Sequence, residues 1–246
     1  MTFAVRPIGL RNAGVPWSSV LSLLHMEGVN GSDVFTDAAS VIAPWSNVVG
    51  AAQVSSTQKP FGATSGNFTN GGIRSASSLQ LRRLLDESFY ISGWIRPDAV
   101  QNGAFFGVTA GSTVWTGTNG LFVAASLVSV AGTHALRLSV PASGTFAEAS
   151  VTTATLRIPS GAWAHFALQS DVAAGTLSLG VNGSVETFAR PAVGIPTGTP
   201  FTTWGAPPAQ ESSGLAGYLK EARIAVGVAP LSGSTYTVPT GPYPDA

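Results

Sequence analysis

The chain of 246 residues carries 12 Lys+Arg against 12 Asp+Glu, with only 10% charged and 44% hydrophobic residues, where an ordinary globular chain is about 25% charged. Without a basic stripe it lacks the electrostatic footprint of a phosphate binder, so no nucleic-acid partner is expected; without cysteine it has neither a disulfide scaffold nor a thiolate zinc site. Balanced charge removes repulsion between copies and suits a homo-oligomer or a subunit held in an assembly.

Residues 1–17, with Pro7, Gly9, Gly14 and Pro16 and no apolar period, read as an irregular N-terminal arm. They contain no continuous apolar stretch of the signal-peptide kind, and no run of about 18 apolar residues follows. The expectation is a cytoplasmically made, non-membrane-inserted product whose residues 18–246 form one domain, since β domains of roughly 200–250 residues often stand alone.

The segment GVNGSDVFTDA offers Asp33 and Asp37 with exposed carbonyls. Calcium takes 6–8 oxygen ligands with few carboxylates, so this is the candidate Ca2+ site; the alternative is a polar turn entering a strand. Further on, Ser77–Glu87 has leucines at 79, 81, 84 and 85, which fit a helix or a strand and turn. We take the strand and turn.

From here short strands follow one another. In Phe89–Arg96, Phe89, Ile91 and Ile95 share one face, and Tyr90, Ser92 and Arg96 the other. Ala104–Thr109, Gly120–Ser126, His134–Val140 and Ala162–Gln169 read likewise. Asn182-Gly183 between two alternating runs predicts a hairpin on a type I′ turn, because both central residues need positive φ. Many short strands punctuated by Gly and Pro make an all-β, antiparallel two-sheet sandwich.

Sites of chemistry are sparse. There is no Gly-x-Ser-x-Gly elbow and no His-x-x-x-His spacing, and the acidic residues are too dispersed for the paired carboxylates of glycoside hydrolysis; no catalytic residue is assigned. His165 reads as structural. Trp94 and Trp163 lie inside strands and read as packing, whereas Trp115 in GSTVWTGTNG and Trp204 in TPFTTWGAPP are bounded by turn residues. Those two are the candidate ligand-binding aromatics, able to cover the apolar face of a sugar. Glu221 and Arg223 fall on one face of LKEARIAV, with Lys220, Ala222 and Ile224 on the other, and read as a structural ion pair in preference to a binding spot.

Five stretches in order, SVLSLLHMEGVNGSDVFTDAA, QKPFGATSGNF, ESFYISGWIRP, PSGAWAHFALQSDVAAGTLSLGVNG and LAGYLKEARIAVGVAPLSGSTYTVPTGPYP, resemble laminin G-like jelly rolls of the concanavalin A-like lectin/glucanase superfamily, in the version found in tailed-phage virion proteins. The resemblance runs from Ser18 to Pro244. It implies a jelly-roll sandwich on the virion surface as a fibre, spike or decoration subunit, with residues 1–17 contacting other virion proteins and host-surface polysaccharide as a partner. The closely spaced acidic residues of the superfamily's glucanases are absent, so the implied role is non-enzymatic adhesion. A purely structural decoration subunit is the alternative, and a polysaccharide hydrolase the third reading.

Overall fold

The computed structural model describes residues 15–69, 71–110, 120–143, 148–194, 196–206 and 214–245. Their strands form two antiparallel sheets facing each other across one apolar core. The first sheet runs β14 (Ser184–Ala189), β13 (Thr176–Val181), β12 (Ala164–Asp171), β6 (Phe89–Pro97), β16 (Gly217–Val226), β4 (Ser65–Asn67), β3 (Gln53–Ser55), with β1 (Val20–Leu24) also paired to β16. The second runs β10 (Glu148–Thr152), β9 (Thr133–Pro141), β8 (Leu121–Val130), β7 (Gly103–Ala110), β15 (Pro200–Trp204), β5 (Gly71–Ser75), β2 (Trp45–Gly50), with β11 (Ile158–Pro159) on β9. This is the all-β jelly-roll sandwich that strand alternation predicts.

Alternation places the core. Phe89, Ile91 and Ile95 of β6 enter it, as do Leu136 and Leu138 of β9. A register shift between Ala104 and Phe106 lets both Phe105 and Phe106 turn inward. The two sheets meet through Phe166, whose ring lies 5.0 Å from Phe105 and 6.4 Å from Trp204, while Trp204 lies 4.6 Å from Phe106. Burying each such ring contributes about 1.5–3 kcal/mol. Between β13 and β14, Asn182 (φ 47°) and Gly183 (φ 92°) make the predicted two-residue turn. The Asn182 side chain also accepts a hydrogen bond from the His165 amide at 2.8 Å.

Ser77–Glu87 is not a strand and turn. A 3₁₀ turn at Leu79–Arg82 continues into α1 (Arg83–Asp86), started by the Ser78 hydroxyl accepting from the Gln80 amide. Leu81, Leu84 and Leu85 sink into the core at helical spacing, and Leu79 stays exposed.

After β16 the chain returns across the outer face of the first sheet as a strap, residues 228–245. Its backbone is tied down by Val185 N to Ser234 O, Tyr236 N to Gly183 O, and by Gln169, which exchanges two hydrogen bonds with Leu231.

Candidate functional site

Trp204, expected on an exposed loop, ends β15 and is fully buried. Phe201 precedes it by an odd number of positions, and the pleat sends the two rings to opposite faces. Phe201 therefore faces outward and Trp204 does not reach the surface. Trp115 lies outside the described residues.

Asp37 is buried, and its carboxylate accepts hydrogen bonds from the Ser22 hydroxyl, the Trp45 indole and the amides of Leu23, Ala39 and Ser40, at 2.7–3.2 Å. Those donors occupy the lone pairs that a cation would need. Asp33 is exposed and its carboxylate makes no hydrogen bond to the described residues. Calcium coordination by this pair is thus replaced by a bracket that ties residues 37–45 to β1. Among the described residues no three His, Cys, Asp or Glu side chains gather into a metal-binding group.

Glu221 and Arg223 are both buried but do not pair with each other. Glu221 takes a left-handed conformation (φ 54°) at a bulge opposite Gly93. The extra residue shifts the faces: Leu219, Ala222 and Ile224 point to the core, while Lys220, Glu221 and Arg223 turn away from it, Glu221 and Arg223 meeting the strap at Tyr243 and Lys220 meeting Glu27. A Cβ on Gly93 would come within 3.0 Å of Glu221 O and 3.2 Å of the Phe166 ring, so a side chain there would crowd the bulge.

The charges of this layer are held by different partners, with Glu221 Oε1 and Arg223 Nε left without a hydrogen bond among the described residues. Lys220 pairs with Glu27. Glu221 Oε2 accepts from the Tyr243 amide and meets His25 Nδ1, both at 2.8 Å, and His25 Nε2 reaches Asp245 at 2.8 Å. The Glu221 bond chiefly raises the His25 pKa to about 9, so His25 is charged at neutral pH and closes the ion pair. The Arg223 guanidinium lies 4.0 Å from the Tyr243 ring centre and 5.3 Å from that of Tyr90, and donates to Ser92 Oγ at 3.2 Å. His165, held between the Tyr236 and Tyr243 hydroxyls at 2.8 and 2.9 Å, is pushed down to about 3 by burial and by Arg223, and stays neutral. This layer fastens the strap; the sequence showed its members but not the bulge that gathers them.

The outer face of the second sheet is built differently. Strand register aligns Ser46, Arg74, Thr203, Gly107, Ala124, Ser139 and Ser150 in one row across seven strands, each alternating with core residues. Apart from Arg74, all are small. The middle of the row, from Thr203 to Ser139, is buried, and both ends are open, Ser150 on β10 and Ser46 at the β2–β5–β15 end. There a cleft of about 390 Å³ is lined by Pro44, Ser46, Arg74, Ser75, Ala76, Ser77, Thr199 and Phe201. The Arg74 guanidinium lies over the Phe201 ring, 5.0 Å from its centre, and donates no hydrogen bond to the described residues. Ser46, Ser77 and Thr199 are exposed, their hydroxyls likewise uncommitted among the described residues. The Ser75 hydroxyl is used internally, accepting from Thr202 N and donating to Ala76 O. The sequence carried one signal for this cleft: in PFTTW, burying Trp204 forces Phe201 outward.

Residues 66–228 match the laminin G-like family described as the concanavalin A-like lectin/glucanases superfamily. The chain belongs to that superfamily. The matched segment of this laminin G-like chain runs from β4 to just past β16, so β1–β3 and most of the strap lie outside it.

Among solved structures, domain 4 of a GH43 extracellular arabinanase from Geobacillus stearothermophilus, in complex with arabinotriose, is similar at a TM-score of 0.58 and 16% identity, over 86% of this chain and 95% of that one. The botulinum neurotoxin serotype D/C binding domain is similar at 0.55 and 13%, over 85% and 49%. A botulinum neurotoxin type C structure, whose cell entry depends on two ganglioside molecules, stands at 0.55 and 13%, over 85% and 48%. The laminin G-like chain spans about half the length of those toxin chains. No curated protein matches it.

Proposed function

We propose that this domain is a non-enzymatic module that binds host-surface glycan through the β2–β5–β15 end of its second sheet. We place it on a virion as a fibre, spike or decoration subunit. The observation that carries the binding reading is the cleft at Phe201 and Arg74, which offers uncommitted hydroxyls and a guanidinium fixed on an aromatic ring. Sugars are held by such a mixture of flat surface and directed polar groups. No carboxylate lines the cleft, whereas glycoside hydrolysis needs two carboxyl groups about 5–10 Å apart. The arabinotriose-bound and ganglioside-dependent relatives share the fold, which supports a carbohydrate ligand. The virion setting rests on the five ordered stretches described above, with the arm at residues 1–17 as the contact to other virion proteins and self-association as the packing mode.

The test is glycan binding by the intact protein, wild type against Phe201→Ala. Binding should weaken about tenfold or more, and no reducing sugar should be released. Release abolished by a single carboxylate substitution would establish hydrolysis instead. Removing residues 1–17 should abolish incorporation into particles, and full incorporation of the shortened chain would refute that role. The low charge content and zero formal net charge favour one second reading, a decoration subunit that packs against its neighbours without sugar. Particle incorporation by an intact oligomer that binds no glycan would select it.

A further inference from the structure

The cleft on the second sheet contains a cation with no counter-charge. Arg74 sits on β5 between Ser46 and Thr203 in the cross-strand row, so its side chain leaves the sheet toward solvent. Its guanidinium then lies over Phe201, 5.0 Å from the ring centre, and Phe201 itself is buried beneath it. An unpaired surface arginine is ordinary, but a mobile one samples many rotamers and loses that freedom on binding. Here the aromatic ring holds the guanidinium in place before any ligand arrives, and stacking consumes none of its five N–H donors. No Asp or Glu lines the cleft. Arg74 forms no salt bridge within the described residues, whose six ion pairs of Arg, Lys and His with Glu and Asp all lie elsewhere.

A planar fork with both edges free matches a planar carboxylate, which takes two parallel N–H···O bonds. The hydroxyls of Ser46, Ser77 and Thr199 on the surrounding walls can each donate to or accept from a sugar hydroxyl. Resting on the glycan-binding reading above, we propose that the cleft selects saccharides bearing a carboxylate, of the uronic-acid kind, and that Arg74 is the selecting residue. A sulfate ester presents the same charge on a tetrahedral group, which a flat fork fits less well.

The experiment is calorimetric titration of the full chain with a galacturonate trisaccharide, its fully methyl-esterified form and a sulfated galactose trisaccharide. The free acid should bind at least about tenfold more tightly than the ester, the loss that accompanies removal of one charge-assisted pair. Arg74→Gln should bring acid and ester to equal affinity, and Arg74→Lys, which keeps charge but not the fork, should fall between. Far-ultraviolet circular dichroism checks that both variants fold. Equal wild-type affinity for acid and ester, or a preference for the acid that survives Arg74→Gln, overturns the selection by Arg74 and leaves the glycan-binding reading standing. Tighter binding of the sulfated sugar than of the acid overturns the carboxylate as the recognised group. Failure of all three sugars and of a wider neutral and acidic glycan array overturns both readings together.

Discussion

His25 stands between Glu221 and Asp245 with 2.8 Å to each, and Lys220 lies 3.9 Å from Glu221 Oε1. Its folded pKa is raised from 6.5 to about 9, chiefly by the Glu221 hydrogen bond. A raised pKa contributes stability that is fully present below 6.5 and is lost as the pH climbs to about 9. An NMR titration should therefore place the His25 midpoint near 9, with faster exchange of the Tyr243 amide above it, and a midpoint near 6.5 would show that the clamp is not formed. Glu186 behaves in the opposite sense. Burial works to raise its pKa, but the Thr155 hydroxyl and the amides of Ala154, Thr155 and Leu156 outweigh it and bring the carboxyl down to about 2. Its stabilisation is present above the unfolded value of 4.5 and lost as pH falls toward 2. Glu186→Gln should cost about 1 kcal/mol or more in urea unfolding at pH 7, with a smaller difference from wild type at pH 2.5.

The β13–β14 hairpin shows an element whose chemistry is local. Asn182 meets two demands, a left-handed backbone (φ 47°) and acceptance of the His165 amide. Asn182→Ala should lose both, about 1–2 kcal/mol from the backbone alone, whereas Asn182→Gly keeps the turn and loses only the side-chain bond; thermal unfolding that ranks the glycine variant below the alanine variant would contradict this. Entry into β16 depends instead on close approach. A Cβ at Gly217 would stand 2.2 Å from Arg96 O, so Gly217→Ala should destabilise the β6–β16 pairing by about 1–3 kcal/mol, read from the same unfolding curves. At Ser77–Glu87 local and tertiary signals combined. Leu81, Leu84 and Leu85 had helical spacing, but the window is too short to hold a helix alone. Packing of those leucines under the second sheet's β15 and β8 decides it.

The strap makes the molecule more than two sheets, because it converts the outer face of the first sheet into a second buried layer. Ending the chain at Gly227 would uncover Tyr90, Ser92, His165, Gln169 and Arg223, all buried in the intact protein. We expect a lower melting temperature and loss of hydrogen-exchange protection in β6, β12 and β16 first, since these carry the uncovered side chains. The sequence by itself determined the all-β class, the faces of β6 and β9 and the Asn182-Gly183 turn, because alternation and turn chemistry act over a few neighbouring residues. It could not locate the bulge at Glu221, the donors that close on Asp37, the burial of Trp204 or the guanidinium stacked on Phe201. Each of those depends on partners brought together from distant parts of the chain, and only the register of strands joined across the two sheets decides which side chains meet.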